Sequence, residues 1–126
     1  MTWQLHKVRI FSFHQMSSGL AFGGMKKYGP YATAKSSINT LMKTLANEWA
    51  PMVRVNSVAP GGIDTKFLIN EQGTHRIKKE QYIQVVPQKR LGRPDEVAST
   101  ILFLLSDASS HITGQCIHIN GGALIL

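Results

Sequence analysis

A tyrosine and a lysine stand four residues apart in the stretch YGPYATAKSSIN, Tyr28 to Asn39, where the pattern reads as the start of a helix. A spacing of i to i+4 sets two side chains one turn apart on the same helical face. The chemistry open to such a pair is proton transfer. A free tyrosine ionises at about pH 10, too high for an efficient base at neutral pH, and an ammonium beside the phenol favours the charged form. The same spacing also describes a surface tyrosine beside a surface lysine, so Tyr31 and Lys35 alone leave both readings open.

The elements that would position the pair are legible from periodicity. Val8 to Phe13 mixes β-branched and aromatic residues as a strand would, with His14 and Gln15 interrupting its apolar character. Gly19, Gly23, Gly24 and Gly29 with Pro30 mark a loop. From Tyr31 a helix follows, with Ile38, Leu41, Met42, Leu45 and Trp49 at offsets of 3, 1, 3 and 4 forming one apolar stripe. Pro51 ends it.

VRVNSVAP, from Val53, reads as a buried strand that runs into a turn at Gly61-Gly62. Asn70 to Lys89 has no strong period and is expected to form a loop or short helices. Pro94-Asp95-Glu96 opens a second long helix, which passes through Val97, Ile101, Leu102 and Leu105 to about Ser106. SDASSHITG connects it to QCIHIN, a last strand that alternates before Gly121-Gly122. Strand, helix, strand, helix, strand is the order of an α/β parallel sheet of about three strands with crossover helices.

With 126 residues, 43% of them hydrophobic and 17% charged, the chain has the composition of one folded domain rather than a disordered segment. The net charge of +7 is partly gathered in Arg76, Lys78, Lys79, Lys89, Arg90 and Arg93. No nucleic-acid reader motif or aromatic interleaving accompanies it, so a solvated face or a loop near an anionic cofactor is expected, with no nucleic acid as partner. The single cysteine, Cys116, excludes an internal disulfide and predicts a buried thiol in a reducing, cytoplasmic setting. No signal-like or membrane-spanning apolar run is present, so no membrane partner is expected. His6, His14, His75, His111 and His118 are scattered without metal-ligand spacing, and no metal site is expected. His118 reads as a strand residue facing solvent or a subunit contact.

Three stretches taken together, MSSGLAFGGMKKYGPYATAKSSINTLMKTLANEWAP, RVNSVAPGGIDTKF and RLGRPDEVASTILFLLSDASSHITGQCIHINGG, resemble the carboxyl-terminal half of a short-chain dehydrogenase/reductase. The resemblance implies a truncated Rossmann-like fold and hydride transfer between NAD or NADP and a small carbonyl or alcohol substrate. In that family a serine precedes the tyrosine by thirteen residues, which falls on Ser18, with Ser17 an equal candidate if the spacing is set aside. The implied catalytic residues are Ser18, which would orient the reacting oxygen, Tyr31, which would exchange a proton with it, and Lys35, which would also hold the nicotinamide ribose. Tyr31, Lys35, Pro60, Gly61, Ile63 and Thr65 are the implied cofactor contacts, the PGGIDT turn lying where parallel sheets bind ligands. RLGRPDEVA is expected to open a packing helix without chemistry of its own.

The glycine-rich pyrophosphate turn of the family, G-x-x-x-G-x-G, is not found in these 126 residues. FSFHQM also departs from the family pattern, in which a strand runs straight into the serine. Residues 1–126 are therefore expected to form one partial domain with an atypical stretch over 1–15, and the isolated chain to turn over little. The expected partners are a homo-oligomer or full-length relatives, joined through the Tyr31 to Trp49 helix or across a sheet edge left without its neighbour. A catalytically silent interaction module is the rival reading from a different class.

Overall fold

The computed structural model describes residues 11–69 and 78–125. Within them lie strand β1 (Phe11–Met16), helix α1 (Gly29–Trp49), strand β2 (Val53–Pro60), helix α2 (Lys79–Val85), helix α3 (Pro94–Leu105) and strand β3 (Cys116–Ile119). The three strands form a parallel sheet in the order β1-β2-β3. This is the α/β, Rossmann-like sheet with crossover helices that the element order predicts.

Period two in β2 decides which helix covers which face. Val53, Val55 and Ser57 face α1: Val55 packs with Met42 and Ala46, and Ser57 Oγ lies 3.3 Å from Asn39 Oδ1. Arg54 and Val58 face α3, where Val58 packs with Val97 and Leu104. Burying side chains such as Met42, Val55 and Leu104 contributes roughly 1.5–3 kcal/mol each. With strands in sequential order and helices on opposite faces, the β1-α1-β2 and β2-α3-β3 crossovers have opposite hands. One of them therefore departs from the usual right-handed rule.

Several expectations change. Residues 8–10 of the first predicted strand lie outside the described residues, and β1 continues through His14 and Gln15 to Met16. Backbone pairing explains this: His14 and Gln15 lie in register with Asn56 and Ser57, so the ladder holds them in extended form whatever their polarity. The strand does run straight into the serines, because the Ser17 N–H continues the ladder to the Val58 carbonyl at 2.8 Å. FSFHQM is thus no departure in structure.

The helical stripes overlap the predicted ones only in part: Met42 and Val97 are buried and Leu45 and Ile101 pack against the core. In α1 the buried residues are Asn39, Met42 and Ala46, whereas Leu41 remains 49% exposed. In α3 Val97 and Leu104 are buried while Leu102 is 66% exposed. Apolar residues surround more of each helix than one face can bury, and the contact with β2 selects which of them enter the core. Of the Asn70 to Lys89 segment, residues 70–77 lie outside the described residues, and Lys79–Val85 is the short helix α2.

His14 lies on the α3 face near Arg54, its Nε2 3.4 Å from Ser12 Oγ. Burial first, then the Arg54 charge, holds it below its ordinary pKa of 6.5. The unfolded chain therefore takes up this proton at a higher pH than the folded chain does. Stability from this group is complete above about pH 6.5 and falls as pH drops from there to the folded value, where the slope ends. Urea unfolding compared at about pH 7.5 and 5.5 should show a lower midpoint at the acid pH, and His14→Gln should show a smaller drop.

Candidate active site

Because the strands are parallel, the carboxyl ends of β1 and β2 lie at the same edge of the sheet, and the predicted residues follow them in the chain. β1 leads into Ser17 and Ser18, and β2 leads through Pro60 into Gly61–Thr65. α1 begins at Gly29 with Pro30 in its first turn, where the ring needs no N–H partner, and places Tyr31 and Lys35 one turn apart.

Three hydrogen bonds tie the serine loop to that first part of α1. Lys35 Nζ donates to the Met16 carbonyl at 2.9 Å, Ser17 Oγ donates to the Lys35 carbonyl at 3.4 Å, and Ser36 Oγ donates to the Ala21 carbonyl at 2.8 Å. Lys35 Nζ also stands 5.8 Å from the Tyr31 ring centroid. Tyr31 and Lys35 are both half-buried, and Tyr28 meets Tyr31 edge to face with centroids 6.3 Å apart.

The two serines divide. Ser17 is buried and bonded to the helix backbone, which makes it a fastener. Ser18 is half-buried, and its Oγ accepts the Leu20 N–H at 3.3 Å, capping the short turn Gly19–Ala21. A hydroxyl that accepts one bond still carries a proton to donate.

The second half of the site is backbone. Ile63 forms a parallel bridge with Gly92 in which the Gly92 N–H donates to the Gly62 carbonyl and the Asp64 N–H donates to the Gly92 carbonyl, both at 2.9 Å. Across a trans peptide the N–H and C=O point in opposite directions. The Ile63 N–H is therefore turned away from Gly92, and so is the Ile63 carbonyl. One residue thus offers a donor and an acceptor side by side, the complement of a primary carboxamide. Thr65 Oγ1 donates to the Ile63 carbonyl at 3.4 Å and is exposed. On this geometry the residues fit the nicotinamide end of a dinucleotide.

Two residues here escaped the sequence reading. Tyr82 on α2 accepts the Gly62 N–H at 2.8 Å on its hydroxyl, and its only signal was an aromatic in a stretch without period. Asn120 caps the turn after β3, accepting the Gly122 N–H at 2.9 Å and donating to the Leu124 carbonyl at 2.9 Å. His118 is not a solvent-facing strand residue: it is half-buried and meets Phe22 edge to face at 4.6 Å. The basic stretch is largely matched by acids: Arg90 forms a bidentate pair with Glu96, Arg93 pairs with Asp95, and Lys79 lies 3.9 Å from Asp64. Arg76 lies outside the described residues. Cys116 is half-buried beside the Met42 cluster, and burial raises its thiol pKa. Among the described residues no helix is long and apolar enough to cross a membrane.

Known proteins resemble this chain in sequence and fold. A family model described as enoyl-(acyl carrier protein) reductase matches residues 11–123. The sorbose reductase of Schizosaccharomyces pombe is 40% identical over 110 residues, which are 87% of this chain and 42% of that protein. The 3-oxoacyl-[acyl-carrier-protein] reductase FabG of Thermotoga maritima is 40% identical over 120 residues, 94% of this chain and 48% of its own length. The chain thus spans a little under half the length of these curated relatives. Among solved structures, the ligand-free aldohexose dehydrogenase of Thermoplasma acidophilum superposes with a TM-score of 0.82 at 35% identity, covering 91% of this chain and 48% of that one. A short-chain dehydrogenase/reductase from Brucella melitensis gives a TM-score of 0.78 at 34% identity, over 91% of this chain and 44% of that one. A family model matching residues 11–123, with the sheet shared by solved structures about 35% identical, places the chain in the short-chain dehydrogenase/reductase family.

Proposed function

We propose that this chain is the carboxyl-terminal, catalytic half of an NAD(P)-dependent oxidoreductase that interconverts a small carbonyl compound and its alcohol. Residues 1–126 form one partial domain of it. The observation that carries the reading is that the Tyr31–Lys35 turn, tied to the end of β1, and the carboxamide-matching backbone of Ile63, after β2, follow the carboxyl ends of paired parallel strands. The nicotinamide, when bound, supplies or accepts the hydride. Tyr31 passes a proton to the substrate oxygen in the reducing direction and takes it back in the other, and the Ser18 hydroxyl donates to the same oxygen. Lys35 is held beside the Tyr31 ring by the Met16 carbonyl, and its ammonium has further donors for the ribose hydroxyls. Pro60, Gly61, Ile63 and Thr65 form the wall that meets the nicotinamide. The relatives, named as reductases of sorbose and of 3-oxoacyl groups, support a carbonyl substrate. The half-buried thiol of Cys116 fits a reducing compartment, and we assign the protein to the cytoplasm.

A second reading rests on the exposed apolar residues Leu41 on α1 and Leu102, Phe103 and Leu105 on α3. On that reading the chain is a module that associates with itself or with full-length relatives. One experiment separates the two. Reduced nicotinamide mononucleotide, which carries the nicotinamide end alone, should shift the amide resonances of Ile63 and Thr65 with millimolar affinity. Unmoved amides together with co-elution with a full-length relative would favour the module.

A further inference from the structure

Among the described residues, Tyr82 is the one side chain from outside the turn Gly61–Thr65 seen bonding its backbone, Thr65 Oγ1 bonding the Ile63 carbonyl from within it. The other ties from outside are backbone to backbone: Gly61 N–H to the Ile119 carbonyl at 3.0 Å, and the two Gly92 bonds at 2.9 Å. Tyr82 Oη closes the remaining gap at 2.8 Å from the Gly62 nitrogen. Its ring also fills the space over the α-carbons of Gly61 and Gly62. A Cβ on Gly61 would stand 2.8 Å from Tyr82 Oη, and one on Gly62 would stand 2.7 Å from the ring carbons. Both distances are too short for a real contact, so the two glycines and the tyrosine fit only as a set.

This contact sits one peptide before the donor–acceptor pair of Ile63. The Gly62 N–H and the Gly62 carbonyl flank one α-carbon, and the carbonyl belongs to the same rigid peptide as the Ile63 N–H. Holding the Gly62 N–H on Tyr82 and the Gly62 carbonyl on Gly92 leaves that peptide a single orientation. α2 is brought to the turn by the same contact, with Lys79 and Asp64 adding an exposed ion pair at 3.9 Å that contributes little.

We propose that Tyr82 is a positioning residue for nicotinamide recognition: through the Gly62 peptide it aims the Ile63 N–H and carbonyl at the carboxamide. The inference rests on the nicotinamide reading above and adds to it a residue that touches no substrate or cofactor. It also assigns α2 a role, since the tyrosine reaches the turn only because that helix lies over the two glycines.

The test uses the full chain and three measurements. In the unsubstituted chain, the Gly62 amide should be protected from hydrogen exchange, and a solvent-like rate would overturn the contact. Tyr82→Phe keeps the ring and removes only the acceptor, and should speed exchange at Gly62 by about tenfold while leaving far-UV circular dichroism unchanged. The same variant should bind reduced nicotinamide mononucleotide about tenfold more weakly, with its affinity for ribose 5-phosphate, which lacks a carboxamide, unchanged. A purely structural role would weaken both ligands or neither, and either result overturns the proposal. If the unsubstituted chain fails to bind the mononucleotide, the nicotinamide reading falls and takes this inference with it. If it binds and Tyr82→Phe binds equally well, the inference alone falls. Should Tyr82→Phe fail to fold, Gly62→Ala, which displaces the ring from the other side, should reproduce the selective loss; loss of neither ligand or of both counts against the proposal.

Discussion

Tyr31→Phe, made in this chain joined to the amino-terminal half of the Thermotoga maritima reductase, is expected to lower kcat by about a thousandfold. The substitution removes one hydroxyl and keeps the ring, so the edge-to-face contact with Tyr28 and the Lys35 ammonium 5.8 Å from the ring centroid can both persist. Only the transferable proton is lost. Cofactor affinity should stay within about threefold, because a group that acts in the transition state changes kcat and kcat/KM together. Steady-state kinetics with NADH and NADPH, alongside fluorescence titration of each, provide both readouts. If the variant keeps most of its turnover, Tyr31 is not the proton donor and the proposed reaction loses its central group.

Arg54→Met is expected to lower the stability of the chain by about 3 kcal/mol, the largest effect anticipated outside the active site. Arg54 is buried at 6% exposure, and among the described residues it makes no ion pair. Its guanidinium instead donates to the carbonyls of Leu104 at 2.8 Å, Ile112 at 3.2 Å and Ser106 at 3.3 Å. Those carbonyls lie at and after the carboxyl end of α3, where the helix dipole is negative and the last acceptors lack partners within the helix. A cation there both neutralises the helix end and fastens the connector to β3.

Other donors partly cover the loss. Ser109 Oγ also reaches the Leu104 carbonyl at 2.8 Å, and Asn56 Nδ2 reaches that of Ile112 at 2.9 Å. This sharing sets the expected cost well below the sum of three charged hydrogen bonds. Methionine preserves the packing of the stem, so the difference reports the head group. Urea unfolding should show a lower midpoint at unchanged slope. A stability within about 0.5 kcal/mol of the parent would mean that Ser109 and Asn56 suffice.

How much was legible varied by feature, for physical reasons. The type and order of α1, β2, α3 and β3 followed from local pattern, because proline stops, glycine turns and runs of β-branched residues act within a few residues of themselves. Which residues of each stripe are buried followed only in part: Met42, Leu45, Val97 and Ile101 enter or pack against the core, whereas Leu41, Leu102 and Leu105 stay exposed. Leu41 and Met42 are neighbours of similar hydrophobicity, and only the position of β2 puts Met42 in the core and Leu41 at the surface. The length of β1 was misjudged for a related reason. His14 and Gln15 look unlike strand residues until their backbone partners, Asn56 and Ser57, are known.

The candidate site divides along the same line. Tyr31 and Lys35 share a turn, so four residues of sequence suffice to pair them. Ser18 could be nominated only through family resemblance, and the Pro60–Thr65 turn through that resemblance and its place after a strand, since their common location depends on two strands lying parallel. Tyr82 was invisible, because its meaning lies in a hydroxyl 2.8 Å from the backbone of a glycine twenty residues earlier. From sequence alone came the kind of chain, its order of elements, its family and the pair suited to proton transfer. Tertiary structure alone decided which serine is free to donate, where the Ile63 peptide points and what holds it there. Local pattern is set by neighbours along the chain, whereas a site is assembled by contacts across it, whose partners no single stretch of residues specifies.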